Sequence, residues 1–150
     1  MAELLKNLKG TTETVAGWVG ALRYEDIPDN GITAIKNSFL DWIGCALVAV
    51  NRPASRIATD YVREEGGAPQ ARVVGTDIRT TSANAAFANG VVSHIDDYDD
   101  SGHGGHPSAH LTPTTLALSE ELGASGKRFM AALPDGVEPE FVSADAVDEY

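Results

Sequence analysis

Residues 84–122 read NAAFANGVVSHIDDYDDSGHGGHPSAHLTPTTLALSEEL, and how this stretch divides decides the fold. Its first part is apolar and built of small residues. With Ala83, the set Ala85, Ala86, Phe87, Ala88, Val91 and Val92 gives a helix face that a second helix can approach closely. Thr81 or Ser82 can cap that helix, which runs into His94. Pro107 and Ser108 mark a restart, and Leu111, Thr115, Leu118 and Leu122 recur at helical spacing until Gly123. Gly102, Gly104 and Gly105 open a loop between the two. The segment is therefore expected to be a helix, a break and a second helix.

The break carries the chemistry. All four histidines of the chain, His94, His103, His106 and His110, lie within seventeen residues, together with Asp96, Asp97, Asp99 and Asp100. No Lys or Arg occurs between Arg79 and Lys127. Imidazole and carboxylate are the side chains most used for proton transfer and for hard or borderline metals. Acidic residues at a helix C-terminus also oppose the helix dipole. A local rule broken in this way points to a site rather than to scaffold.

The flanking sequence continues the helical pattern. Thr11 or Thr12 can cap a first helix through about Leu22, with Val15, Trp18, Val19 and Leu22 on one face. From Asp29 or Asn30 to Val50, Ile32, Ile35, Phe39, Ile43, Leu47 and Val50 form a stripe expected to face the core. Ala54 to Glu65 reads as a third helix with Ile57, Ala58, Tyr61 and Val62 inward. Ser125 can cap a sixth helix that Pro134 cuts. Arg72–Gly75 is the only strand-like segment, too short to make a sheet by itself. The class expected is all-α, with at most that one strand-like segment. No P-loop and no GxGxxG pattern is present.

Composition excludes several partners. At 150 residues the chain has the length of one ordinary domain, and its net charge of −11 argues against nucleic acid and anionic membrane. The lone Cys45 sits in an apolar run, which suggests a buried thiol and a cytoplasmic protein. The N-terminus has no apolar signal core, and no membrane span is expected. Residues 134–150 hold six acids, no base and two prolines. They are read as an acidic, mobile tail after a partial helical domain at 1–133.

Three motifs together resemble the N-terminal helical domain of the MmgE/PrpD family. The first is Pro28, Gly31, Lys36, Leu40, Asp41 and Gly44 in the order PxxGxxxxKxxxLDxxG. The second is Asn89-Gly90, His94 and Asp97-Tyr98-Asp99-Asp100. The third is His106-Pro107-Ser108 followed by Gly123-Ala124-Ser125-Gly126. The resemblance covers about residues 13 to 133.

That resemblance implies a lyase working without metal, iron–sulfur cluster or other cofactor on small di- or tricarboxylates. A dehydratase of the 2-methylcitrate type is expected first, with a cis-aconitate-type decarboxylase or an epimerase as alternatives. It also implies that Asp97 and His106 face the active site. His106 is expected to transfer the proton, with Asp97 as partner or second acid/base, and His103 is the second choice. Ser108 and Asp100 stand beside them as candidate substrate-binding groups. A homo-oligomer is expected, as a dimer or larger.

Two departures qualify the implied activity. Carboxylate substrates need cationic anchors, and the motif region supplies none. The acidic tail stands where the family continues a core helix, so the chain is read as a truncated or frame-shifted portion, inactive alone. The competing readings are a Zn²⁺, Mn²⁺ or Fe²⁺ module built on H-x-D-D-x-D-D and HxxH, and a non-catalytic helical interaction remnant.

Overall fold

The computed structural model describes residues 10–101 and 105–133. Helix α1 spans Thr11–Ala21, and a single 3-10 turn follows at Tyr24–Asp26. Helices α2 (Asp29–Ala49) and α3 (Pro53–Glu65) lead to a hairpin of β1 (Ala71–Arg72) and β2 (Arg79–Thr80). Helices α4 (Ser82–His94), α5 (Pro107–Glu121) and α6 (Gly126–Ala132) complete the order. The all-α reading holds. The expected mobile tail at 134–150 lies outside the described residues.

Local signals explain most boundaries. Pro53 and Pro107 occupy the first turns of α3 and α5, where a missing N–H costs nothing. Of the two candidate caps for α4, Thr81 is the one used, accepting the Asn84 N–H at 3.3 Å. Ser125 accepts the Arg128 N–H at 3.3 Å and starts α6.

Helix α4 is the centre of the packing, set against α5 most extensively and also against α2 and α3. Its small residues make that possible. A Cβ on Gly90 would stand 3.1 Å from the Ala109 carbonyl oxygen. In an unbroken helix that carbonyl would take the N–H of residue 113, but Pro113 has none to give. Gly90 thus lets α4 close over the one turn of α5 that lacks its bond.

The hairpin is short because it is held by helices, not by a sheet. β1 and β2 pair antiparallel, Ala71 with Thr80 and Arg72 with Arg79. Of the expected strand-like segment Arg72–Gly75 only Arg72 is strand, paired together with Ala71 to a partner strand that the sequence did not announce, and residues 73–75 enter the turn. Asn89 of α4, 1% exposed, accepts the Val74 N–H at 2.8 Å and donates to the Arg72 carbonyl at 2.9 Å. Glu120 of α5 accepts the Arg72 N–H at 2.7 Å. These groups satisfy backbone that a longer sheet would otherwise satisfy.

The expected inner faces need correction. In α2 the buried residues are Trp42, Cys45, Ala46 and Ala49, while Leu47 is half exposed. In α3 they are Ser55, Ala58, Thr59 and Val62, with Ile57 and Tyr61 turned outward. In α5 Leu118 and Leu122 are exposed, and Ser108, Thr112, Pro113 and Ala117 are buried. Close helix approach favours small side chains at most of these contacts, with Trp42 and Val62 the large apolar ones kept inside. Large aliphatic residues at helical spacing therefore do not mark the inner faces of these helices. Helix α2 is also long and apolar enough to cross a membrane by length and composition alone, where no membrane span is expected from the sequence.

Candidate active site

The break between α4 and α5 is built by turns that aim successive aspartates in different directions. The Asp97 N–H bonds the His94 carbonyl at 2.9 Å, closing a turn directly after α4. Asp97 takes φ +55°, the only positive φ at a non-glycine residue among those described. Asp is one of the few residues that tolerates this conformation. The chain then carries Asp99 inward, where its side chain is 0% exposed.

Asp100 ends the break by capping the next helix. Its carboxylate accepts the Ser108 N–H at 3.2 Å and the Ser108 hydroxyl at 2.6 Å. Ser38 of α2 lies 2.9 Å from the Ser108 hydroxyl and donates to Asp100 at 3.3 Å. A carboxylate at a helix N-terminus meets orphan N–H groups and the positive end of the dipole. This cap fixes where α5 begins, and so where His106 stands.

The two residues expected to work together are brought together. His106 Nε2 lies 3.4 Å from Asp97 Oδ1. On the other edge of the ring, His106 Nδ1 is 3.5 Å from Asp99 Oδ1. His94 Nδ1 makes a shorter contact with the same Asp99 oxygen, 2.9 Å. The rings of His94 and His106 are 4.8 Å apart between centroids. His94, Asp97, His106 and His110 line an open cleft of about 1040 Å³, floored by Gly90 and Pro113.

Other expected site residues fall elsewhere. Asp100 and Ser108 line a separate cavity of about 410 Å³ that shares no lining residue with the cleft, with their polar atoms turned to one another. His103 lies outside the described residues. His94 and Asp99 were visible as members of the histidine–aspartate cluster, but nothing in spacing alone singled them out. Burial and the turn at Asp97 do so.

Among the described residues, no Lys or Arg lines the cleft. Arg72 and Arg79 border a different groove, and Lys127 and Arg128 another. Arg52 does reach the acidic run, its Nε and Nη2 donating to one oxygen of Asp96 at 3.1 and 3.0 Å. The sequence placed no base near this run because Arg52 arrives from 44 residues away. Cys45 is buried, and burial first, then Asp41, Asp99 and Asp100, pushes its thiol above the ordinary range.

His94, Asp99 and His106 each offer a ligand atom, all within 4.8 Å of one another. A borderline divalent metal could be held by that donor set. His94 and Asp99 belong to the H-x-D-D-x-D-D pattern and His106 to HxxH, whose other histidine, His103, lies outside the described residues.

The model of the MmgE/PrpD N-terminal domain matches residues 13–149. The chain belongs to the MmgE/PrpD family. The match extends past residue 133, where the motif-based resemblance ended, and takes in the acidic stretch. Cis-aconitate decarboxylase of Mus musculus is 32% identical over 137 residues, covering 87% of this chain and 28% of that protein. The Homo sapiens protein of the same name is 34% identical over 122 residues, covering 80% and 25%. Cis-aconitate decarboxylase of Aspergillus terreus is 29% identical over 123 residues, covering 79% and 24%. The chain thus spans about a quarter of the length of these MmgE/PrpD relatives.

Proposed function

We propose that this chain carries the proton-transfer half of a lyase active site acting on a small di- or tricarboxylate. One observation carries the reading: Asp97 and His106, 3.4 Å apart, face an open cleft in a chain of the MmgE/PrpD family. Dehydration begins when a base takes the proton next to a carboxylate, and it ends when an acid protonates the departing hydroxide. Decarboxylation releases CO₂ and leaves an electron pair on carbon that an acid must protonate. Dehydration therefore needs two proton-transfer groups, a base and an acid, whereas decarboxylation needs one positioned acid, and a His–carboxylate pair can supply either role. The names of the curated relatives favour decarboxylation of cis-aconitate as the first reaction to assay, ahead of the dehydration of 2-methylcitrate.

The cationic anchors that a tricarboxylate requires come, in this reading, from outside the described residues. The 150-residue chain alone is then inactive. Two assays test the reading. The purified chain should release no CO₂ from cis-aconitate and no water from 2-methylcitrate. A chimaera carrying residues 13–133 in the matching segment of the mouse relative should turn over one of these acids. A folded, soluble chimaera without turnover on either would contradict the reading, as would robust turnover by the chain alone for its inactivity.

A further inference from the structure

The proton-transfer reading assigns roles to Asp97 and His106 and leaves the best-made contact of the break unused. Asp99 is 0% exposed at its side chain, and its Oδ1 sits 2.9 Å from His94 Nδ1. Its Oδ2 is buried without a hydrogen-bond partner, as is Nδ1 of His106. A buried carboxylate requires a donor, and here the well-placed donor is the His94 ring. His94 is the last residue of α4, and the Asp97 turn folds the chain back so that Asp99 meets it five residues later.

We propose that His94 is a second proton-transfer residue of the cleft and that Asp99 is the positioning residue that sets its tautomer. Asp99 can only accept while ionised, so Nδ1 of His94 carries the hydrogen. Nε2, the nitrogen at the far edge of the ring, is then bare and basic, and the ring lines the cleft. The break holds two carboxylate–imidazole pairs whose rings are 4.8 Å apart, Asp99–His94 and Asp97–His106. This is the number that dehydration asks for, one pair to take a proton and one to give it, while a decarboxylation would use one of them.

The step balances without any other reactant. The C–H bond beside a substrate carboxylate breaks, its electron pair stays on carbon, and the proton forms an N–H bond at His94 Nε2. Asp99 steadies the imidazolium that results, as a buried carboxylate does behind a catalytic histidine. In a decarboxylation no C–H bond breaks first: the ring takes its proton from solvent, the C–C bond to the leaving carboxylate breaks with its electron pair staying on carbon, and the imidazolium gives that proton to carbon as CO₂ departs. The role rests on the lyase reading above; the tautomer does not.

Two measurements separate these. Long-range ¹H–¹⁵N spectra of the histidine-labelled 150-residue chain, followed to the alkaline plateau of its histidine signals, report which nitrogen of His94 holds the hydrogen. The proposal expects the Nδ1–H form, lost on Asp99→Ala. An Nε2–H form in the unaltered chain overturns it and needs no variant to fold. Micromolar Zn²⁺ binding that draws in both rings and Asp99 would also overturn it, since the trio would then be a metal site. In the active chimaera, His94→Gln and Asp99→Asn should each lower kcat at least tenfold with KM little changed. Unchanged kcat would leave the tautomer standing and remove His94 from the chemistry. An inactive unaltered chimaera would count against the lyase reading and not against the tautomer.

Discussion

His106 Nε2 lies 3.4 Å from Asp97 Oδ1, and the two side chains reach that distance from opposite sides of a break between helices. His106 is placed by the cap that Asp100 makes on α5, and Asp97 by a turn that holds its φ at +55°. The distance is therefore set by backbone, and it is sensitive to what residue 97 will tolerate. Asp97→Gly should change stability by less than about 1 kcal/mol, because glycine accepts positive φ freely. Asp97→Val should cost about 1–3 kcal/mol, the usual range for a side chain forced into this region. Thermal unfolding of the two variants checks the difference, and equal stabilities would mean that the turn is not strained.

The Asn89-Gly90 pair of the family motif is structural in this chain. Asn89 bonds the backbone of Val74 and Arg72, and Gly90 lets α4 meet the Ala109 carbonyl. Asn89→Ala leaves two backbone groups without partners and should destabilise by about 2–4 kcal/mol. Gly90→Ala should cost about 1–3 kcal/mol, as overpacking of a close contact does. Denaturant titration measures both, and a neutral Gly90→Ala would show that α5 yields at Ala109.

Much of this was legible in sequence because the helix boundaries are written in local chemistry. Thr81, Ser125, Pro53 and Pro107 each act within one turn of the chain, and each lies at or beside its expected boundary. The partnership of Asp97 and His106 came from a motif. What could not be read was set by packing. Leu47 and Ile57 are exposed while Cys45, Ala46 and Ala58 are buried, because contact between helices here favours short side chains over longer aliphatic ones. Arg52 reaches Asp96, and Asn89 reaches the hairpin, across distances along the chain that no local pattern encodes. His94 and Asp99 were in plain view as residue types, but burial alone distinguishes Asp99 from the aspartates on either side of it.

Cys45 gives a pH dependence with a definite sign. Its folded thiol is raised above the ordinary value of 9.0, chiefly by burial. Below that value both folded and unfolded chains hold the proton, and the raised group has no effect on stability. As pH climbs past 9.0 the unfolded chain releases its proton while the folded chain keeps it, so stability falls until the folded thiol also ionises. Cys45→Ser should flatten this alkaline loss. At neutral pH a thiol reagent should modify Cys45 at the rate of unfolding, much more slowly than a free thiol, and fast labelling of the native chain would contradict its burial.

The outward face of α3 and α4 bears on self-association. Tyr61 and Phe87 meet edge to face at 5.9 Å, both about half exposed, with Ile57 72% exposed one turn before Tyr61. Apolar groups gathered in this way usually mark an interface. Light scattering at micromolar concentration should give a mass above the 15.8 kDa of one chain, and Ile57→Lys with Phe87→Lys should lower it. A monodisperse monomer in the unaltered chain would remove the homo-oligomer.

The central claim is that Asp97 and His106 transfer protons in a carboxylate lyase. It is tested most directly in the chimaera with the mouse relative, by the steady-state rate of CO₂ release from cis-aconitate. His106→Ala and Asp97→Asn should each lower kcat by about two to four orders of magnitude, the range for positioned acid–base groups, with the fold intact by circular dichroism and no response to a chelator. Rates within a few-fold of the unaltered chimaera in both variants, or activity abolished by the chelator alone, would contradict the account.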